Sequence, residues 1–174
     1  MSRSIAATLL WLFVINLGIA LGAGLYESRI VVPQWVTFSP ESGWHWNAAA
    51  ARQADTGLRF WVYVTTVPLT LLTLASLVAA WWTRNPVRRW WLAAASAAVL
   101  DRVMTFTYFI PTMLKLMNDD SIPETEAFAL ALQWARLGYV RHAATLVAWL
   151  AALRALCLMA ATREREGVIS RSGT

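Results

Sequence analysis

The chain has 174 residues, of which 58% are hydrophobic and only 14% are charged. Because water-soluble domains carry about 25% charged residues, the composition excludes an ordinary soluble domain and predicts a surface that faces the lipid bilayer. The formal net charge of +5 does not indicate nucleic-acid binding, because the basic residues form no single patch interleaved with exposed aromatic side chains. We therefore expect the bilayer as a partner, and no nucleic acid.

Three of the four long apolar runs predict membrane-spanning helices of ordinary length. They cover about residues 5–27, 58–82 and 90–115. Each is long enough to cross the roughly 30 Å hydrocarbon core of a bilayer. Pro68 lies inside the second run, where a proline should kink the helix or leave a backbone carbonyl without its donor.

The fourth apolar run predicts a helix over residues 124–161. It begins just after Pro123, and proline is favoured where a helix opens. The run is longer than a bilayer requires, so its first turns should project beyond the membrane. Cys157, the only cysteine, is expected to be a small buried hydrophobe. Residues 1–161 then form one domain, and 162–174 form a polar cytoplasmic tail.

The segment between the first two predicted helices, from Ser28 to Gly57, is long and contains Trp35, Trp44 and Trp46. A loop of this length usually has a functional role, and we expect it to lie over the outer mouth of the bundle. The predicted fold class is therefore all-α: an integral membrane four-helix bundle with a long outer loop between helices 1 and 2.

The positions of arginine and lysine predict the orientation of the bundle, because basic residues concentrate on the cytoplasmic side of membrane proteins. Three segments are predominantly basic: the amino terminus, the short loop after the second helix, and the tail. They carry Arg3, Arg84, Arg88, Arg89, Arg163, Arg165 and Arg171. On the other side, Arg29, Arg52, Arg59 and Lys115 are set among Glu41, Asp55, Asp119, Asp120, Glu124 and Glu126. We predict a multi-pass cell-membrane protein with both termini in the cytoplasm.

A few ionisable side chains lie within the apolar runs or at their ends, where charge is costly and usually marks a function or a fixed partner. Helical periodicity places Thr105 and Tyr108 on the same face as Asp101, and Trp134 on the same face as Arg141. We expect the site residues to converge in the outer half of the bundle. The predicted catalytic residues are Glu27, Arg59, Asp101, Tyr108, Arg141 and His142, and the predicted substrate-binding residues are Trp35, Trp61, Thr105 and Trp134.

Two interpretations of this set stay open. The first is a buried ion-pair network, with Glu27 bound to an arginine and Asp101 bound to Arg102 or Arg154. Such pairing avoids an isolated charge and requires no chemistry. The second is an apolar pocket with a few convergent polar groups, the usual form of a small-molecule site, in which burial tunes the groups for acid–base catalysis.

Metal and cofactor binding are not predicted. The chain has only two histidines, His45 and His142, whereas a zinc site needs three or four ligands. It contains no glycine-rich phosphate-binding loop and no Gly-x-Ser-x-Gly motif. We therefore expect no metal and no bound cofactor.

Five stretches, in order, resemble the anthrone-oxygenase-like membrane proteins, a largely uncharacterised family. They are GLYESRIVVPQW (24–35), RFWVYVTTVPLTLLTLASLVAAWW (59–82), RRWW (88–91), TYFIP (107–111) and WARLGYVRH (134–142). The resemblance covers most of the chain. One position departs from the family pattern, since Val140 stands where an asparagine is frequent.

The resemblance implies a four-helix membrane fold and, for some members, oxidation of an anthrone carbon to a quinone without an evident cofactor. An anthrone is acidic, and a cation stabilises its enolate. In this sequence Glu27 or His142 would then take the proton, Arg59 or Arg141 would hold the oxyanion, and Tyr108 would hydrogen-bond the substrate oxygen.

Two other functions stay open beside this one, and a channel or transporter comes after them, favoured only by Asp101 near the middle of its helix. One is a membrane-embedded, acid-catalysed cyclase or isomerase of an isoprenoid substrate, with Glu27 or Asp101 as the proton donor and tryptophan faces stabilising a carbocation. The other is a non-catalytic accessory or lipid-binding membrane subunit. The sequence does not indicate an oligomeric state.

Overall fold

A computed structural model describes residues 2–41 and 43–172, and within these ranges every side chain except those at positions 3 and 163–172. The side chains of the predicted cytoplasmic residues Arg3, Arg163, Arg165 and Arg171 therefore lie outside the described part. The elements in chain order are α1 (Arg3–Tyr26), a π-helical segment (Glu27–Val31), a 3-10 turn (Val32–Trp35), β1 (Val36–Ser39), β2 (Gly43–Trp46), α2 (Ala48–Ala54), a second π-helical segment (Gly57–Thr66), α3 (Val67–Trp81), α4 (Val87–Met104), a third π-helical segment (Thr105–Phe109), α5 (Ile110–Asn118) and α6 (Glu124–Ser172).

Four continuous helical stretches are long and apolar enough to cross a membrane. In chain order these spans are Ser4–Trp35, Gly57–Trp81, Val87–Asn118 and Glu124–Thr162. By helix length and hydropathy, the chain is therefore a multi-pass membrane protein. The predicted all-α class with four long, packed helices is confirmed.

Each span packs against two neighbours, because the first and the third both contact the second and the fourth. The first and fourth spans are antiparallel: Gly24 faces His142, whereas the earlier Gly18 faces the later Trp149. Short connections at residues 82–86 and 119–123 join the other neighbours. The start of the first span and the end of the fourth thus lie at one end of an up-and-down bundle, together with the loop 82–86. We name this the basic-loop end, and the opposite end, which carries β1, β2 and α2, the hairpin end.

The segment predicted as a long loop is mostly folded, which corrects that prediction. The first span continues to Trp35, and an antiparallel hairpin follows, with Val36 opposite Trp46. Gly43 closes the turn with a φ of +80°, a conformation that favours glycine. The hairpin folds because Trp46 is buried and donates its indole N–H to the Leu116 carbonyl at 3.0 Å.

Two apolar clusters fill the bundle. The cluster at the basic-loop end is rich in alanine, and small side chains let membrane helices approach closely. The cluster at the hairpin end is rich in aromatic side chains. Buried members of the first include Leu10, Phe13, Leu17, Leu69, Trp91, Ala94, Ala98, Ala148 and Ala152; those of the second are Val32, Trp35, Trp46, Ala51, Phe109, Leu116, Ala131 and Trp134. The buried polar residues Glu27, Asp101, Thr105, His142 and Thr145 belong to neither.

Each π-helical segment ends two residues before a proline, namely Pro33, Pro68 or Pro111. A proline has no N–H for the carbonyl four residues earlier, and its ring clashes with that carbonyl. A wider turn moves the carbonyl away from the ring. For Pro68 the affected carbonyl is that of Val64, which accepts a hydrogen bond from the Asn16 side chain at 2.9 Å. A side chain of a neighbouring span thus supplies a donor to this carbonyl.

The connection at residues 119–123 is a polar turn. The hydroxyl and the backbone N–H of Ser121 donate to Asp119 at 2.5 and 3.1 Å. These hydrogen bonds, that of the hydroxyl first, hold the pKa of the Asp119 carboxyl below its usual value. The turn is thereby closed by hydrogen bonds within its own residues.

Cys157 is exposed, which corrects the prediction of a buried position. The outer surface of this bundle is itself apolar, as the exposed Val147 and Leu150 of the same helix illustrate. Hydropathy therefore does not distinguish a residue in the core from one that faces outward.

Candidate functional site

The hairpin-end half of the bundle holds a buried carboxylate. Glu27 lies at the start of the first π-helical segment and is buried. Its Oε1 accepts hydrogen bonds from Thr56 Oγ1 at 2.8 Å and from Trp61 Nε1 at 2.7 Å. Among the described residues, no arginine or lysine nitrogen lies within 4.0 Å of this carboxylate. Neutral donors, and no cation, therefore hold Glu27.

Arg141 of the fourth span lies close to two aromatic rings. Its guanidinium carbon lies 4.4 Å from the centroid of the Phe109 ring and 5.8 Å from that of Trp61, within range for cation–π attraction. In the described part of the chain, no carboxylate oxygen lies within 4.0 Å of its nitrogens. The guanidinium is half-buried and retains free hydrogen-bond donors.

His142 completes the group from the next position of the fourth span. It is buried, and its Nε2 lies 2.9 Å from Ser28 Oγ of the first span. The imidazole packs against Gly24, where an added Cβ would lie 2.6 Å from the His142 Cε1. We name Glu27, Trp61, Arg141 and His142 the hairpin-end cluster.

Tyr108 lies one residue before Phe109, whose ring contacts the Arg141 guanidinium. Its hydroxyl is buried and has no hydrogen-bond partner among the described residues. The ring meets that of Phe109 edge-on, with centroids 5.3 Å apart. A buried hydroxyl without a partner is unfavourable. The Tyr108 hydroxyl, next to the cluster, is therefore available to donate a hydrogen bond to a ligand.

Asp101 is buried in a separate ion pair. Its Oδ2 pairs with Arg102, whose Nε lies at 2.9 Å, and its Oδ1 accepts from Thr145 Oγ1 at 3.2 Å. Thr105 donates to the Asp101 backbone carbonyl at 2.8 Å. Arg154, the alternative partner considered from the sequence, is exposed. The carboxylate of Asp101 is thus satisfied locally.

Three further predicted site residues lie outside the hairpin-end cluster. Arg59 is exposed, and its backbone N–H donates to the Asp55 carbonyl at 3.0 Å. Trp35 is buried in the apolar cluster, edge-on to Trp46 at 5.9 Å. Trp134 is buried and donates its indole N–H to the Phe109 carbonyl at 3.1 Å, so it supports the ring beneath Arg141.

Four residues of this site were not singled out from the sequence. Thr56 donates a hydrogen bond to Glu27, and Ser28 is hydrogen-bonded to His142. The Phe109 ring contacts the Arg141 guanidinium, and Gly24 leaves space for the imidazole. The one available signal was the spacing of Gly24 and Ser28, four residues apart and therefore on one helix face, which packs against the fourth span.

Two grooves lie outside the hairpin-end cluster. One of about 410 Å³ at the basic-loop end is lined by Leu77, Val78, Trp81, Trp82 and Leu92. The other, of about 260 Å³, lies between the 3-10 turn and α2 and is lined by Val31, Gln34, Trp35, Ala50, Gln53 and Ala54. Trp35, a predicted substrate-binding residue, thus lines an opening at the hairpin end. Within the described part of the chain, no group of three or more His, Cys, Asp or Glu residues is arranged to hold a metal ion.

Comparison of the chain with protein-family models, curated proteins and solved structures finds no match. The resemblance to anthrone-oxygenase-like proteins therefore rests on the sequence motifs alone.

Proposed function

We propose that the hairpin-end cluster binds an apolar small molecule with an oxygen that carries or develops negative charge. The observation that carries this proposal is the environment of Arg141. Its cation lies close to two aromatic rings with no carboxylate of the described chain within 4.0 Å. A charge in an apolar membrane interior is costly unless it is compensated, so the site favours a ligand that supplies the anion.

We further propose that the hairpin end faces outward and that both termini are cytoplasmic. The loop at residues 82–86 and the first turn of α4 carry Arg84, Arg88 and Arg89, whereas Asp119 and Asp120 occupy the connection at the other end. This asymmetry supports the orientation, because basic residues close to membrane spans are retained in the cytoplasm.

Within this proposal the ligand is an aromatic ketone of the anthrone type, and the chain oxidises it without a bound cofactor. Glu27 or His142 removes a proton from the ring methylene. Arg141 stabilises the enolate oxygen, where donors aimed at developing charge have their largest effect. The free hydroxyl of Tyr108 donates to the same oxygen.

The oxidant is dioxygen, and the chemistry balances without another reactant. The carbanion form of the enolate adds to dioxygen, and return of the proton gives a hydroperoxide on the former methylene carbon. Loss of the second hydrogen from that carbon and cleavage of the O–O bond give a carbonyl and water. One methylene and one dioxygen thus become one carbonyl and one water.

The test is oxidation of anthrone by the purified protein in air-saturated buffer, followed by quinone absorbance and dioxygen consumption. We expect turnover above the protein-free rate and a fall of about 100-fold in Glu27→Gln and Arg141→Gln, the usual scale for an acid–base or oxyanion group. Arg136→Gln is the matched control, because Arg136 is exposed on the same helix. Equal turnover in all three variants would overturn the assignment.

A non-catalytic membrane subunit is the second candidate. Two observations favour it: both grooves lie outside the hairpin-end cluster, and Asp101 is satisfied by its neighbour Arg102. This candidate predicts that the hairpin-end cluster binds a ligand or stabilises the bundle, and that the protein turns over no aromatic ketone.

A further inference from the structure

The basic-loop end carries an open apolar groove that the proposed function does not use. Its volume is about 410 Å³, and it lies between the end of the second span and the start of the third. Trp81 and Trp82, which line it, are 64% and 78% exposed. Tryptophan is enriched where membrane proteins meet the interface between hydrocarbon and water, so the groove is placed at the depth of lipid head groups.

One arginine contacts the lining of this groove, and two more lie close to it in the sequence. Arg88 lies at its rim, with the guanidinium carbon 4.5 Å from the centroid of the Trp81 ring. Arg84 follows Trp82 by two residues, and Arg89 precedes Leu92 by about one helical turn.

No acidic side chain compensates these arginines within the described residues, where none of the three has a carboxylate within 4.0 Å. The sequence from Thr56 to Leu100 contains no aspartate or glutamate at all. Among the side chains that the structure describes, the charges next to the groove are therefore all positive.

We propose that this groove binds one phospholipid with a net negative head group. An acyl chain lies along Val78, Trp81 and Leu92, and the phosphate lies among the arginines. The charge pattern selects this occupant over a second copy of the chain, because an isologous contact would place the same patch on both subunits and bring arginine against arginine. The site is at the opposite end of the bundle from the hairpin-end cluster and is independent of it.

The experiment is native mass spectrometry of the protein in a neutral detergent, titrated with phosphatidylglycerol or with phosphatidylcholine. We expect one phosphatidylglycerol to bind more tightly than phosphatidylcholine. Arg88→Gln should lower the affinity for phosphatidylglycerol about fivefold, which is the usual effect of one basic residue near an anionic surface. Arg136→Gln, an exposed arginine outside this patch, should leave both affinities unchanged.

A second pair of variants tests the groove itself. Val78→Trp fills it with apolar bulk, and Leu71→Trp makes a similar change on the same helix outside it; the two positions are 63% and 62% exposed. We expect Val78→Trp to lose the bound phosphatidylglycerol and Leu71→Trp to keep it. Equal affinity for both lipids would overturn the proposal, and so would unchanged binding in Arg88→Gln and Val78→Trp. Displacement of the lipid by millimolar inorganic phosphate, or a dimer in place of the lipid adduct, would overturn it as well.

Discussion

Gly24 makes room for the imidazole of His142, and this one position sets how the first and fourth spans meet at the hairpin-end cluster. An added Cβ would lie 2.6 Å from Cε1 and 2.9 Å from Nδ1 of that ring. Such distances force the imidazole to move, and its contact with Ser28 at 2.9 Å would be lost with it. The cluster therefore depends on a residue that carries no functional group.

Gly24→Ala should destabilise the protein by roughly 1–3 kcal/mol, the usual cost of overpacking. Gly22→Ala is the matched control on the same helix, because nothing lies within 4 Å of its added Cβ. Alanine favours a helix over glycine by up to about 1 kcal/mol, so Gly22→Ala should be neutral or stabilising. Thermal unfolding in detergent measures both, and equal shifts of Tm for the two variants would rule out this close contact.

The ionisable members of the cluster could be singled out from the sequence, because a charge inside or beside an apolar run is rare and therefore conspicuous. Arg59 shows the limit of that reasoning. It stands at the end of an apolar run as Glu27 does, and both residues lie in π-helical segments, yet Glu27 is buried and Arg59 is exposed. A wider turn changes the face on which a residue falls, and α-helical periodicity does not anticipate it.

At the scale of elements, the π-helical segments position the site. Glu27, Trp61 and Thr105 each lie in one of them, and each segment ends just before a proline. Such segments are frequent at functional sites. The prolines were visible in the sequence and predicted a disturbed hydrogen-bond ladder at Pro68. Near a proline the helix either kinks or forms a wider turn. Which of the two occurs depends on neighbouring spans, such as the one that supplies Asn16.

The bond from Asn16 to the Val64 carbonyl can be tested by a double-mutant cycle. Asn16→Leu should cost roughly 1–3 kcal/mol, because it removes the side-chain donor of a part-buried carbonyl. In a Pro68→Ala background residue 68 regains an N–H, so the same substitution should cost less, and the difference is the coupling energy. Chemical unfolding of the four proteins gives these values. An identical cost of Asn16→Leu in both backgrounds would argue against the proline as the cause.

The hairpin was missed at the level of the sequence for a physical reason. Its strands, VTFS and GWHW, have four residues each, and an isolated two-stranded hairpin is marginally stable. It forms because Trp46 is buried against the third span and packs edge-on against Trp35. Those contacts join distant parts of the chain, which local patterns do not report.

At the scale of the whole molecule, four helices could be predicted because each apolar run is long enough for a bilayer, whereas their packing could not. Lipid-facing and core-facing positions are equally apolar, as the exposed Cys157 shows. Only the structure shows which spans are neighbours, with each span packed against two others, and that the apolar core forms two separate clusters. Along the spans, the polar groups of the hairpin-end cluster lie between these two apolar clusters.

The proposed orientation predicts which loops a membrane-impermeant maleimide can reach in intact cells. In a Cys157→Ser background, Ser121→Cys at the hairpin end should be labelled directly. Asn85→Cys at the basic-loop end should be labelled only after permeabilisation, because basic segments stay in the cytoplasm. Both positions are exposed, so access within the fold does not bias the comparison. The reverse labelling pattern would place the termini outside.

Mass spectrometry of the small molecules extracted from the purified protein tests most directly whether the hairpin-end cluster is a binding site. Glu27→Gln, Arg141→Gln and the control Arg136→Gln are purified and extracted in parallel with the unaltered chain. We predict an aromatic or isoprenoid compound that remains with the unaltered chain and with Arg136→Gln, and is lost from both cluster variants. Recovery of phospholipid alone, unchanged by any of the three substitutions, would contradict the account and leave the cluster a structural element of the bundle.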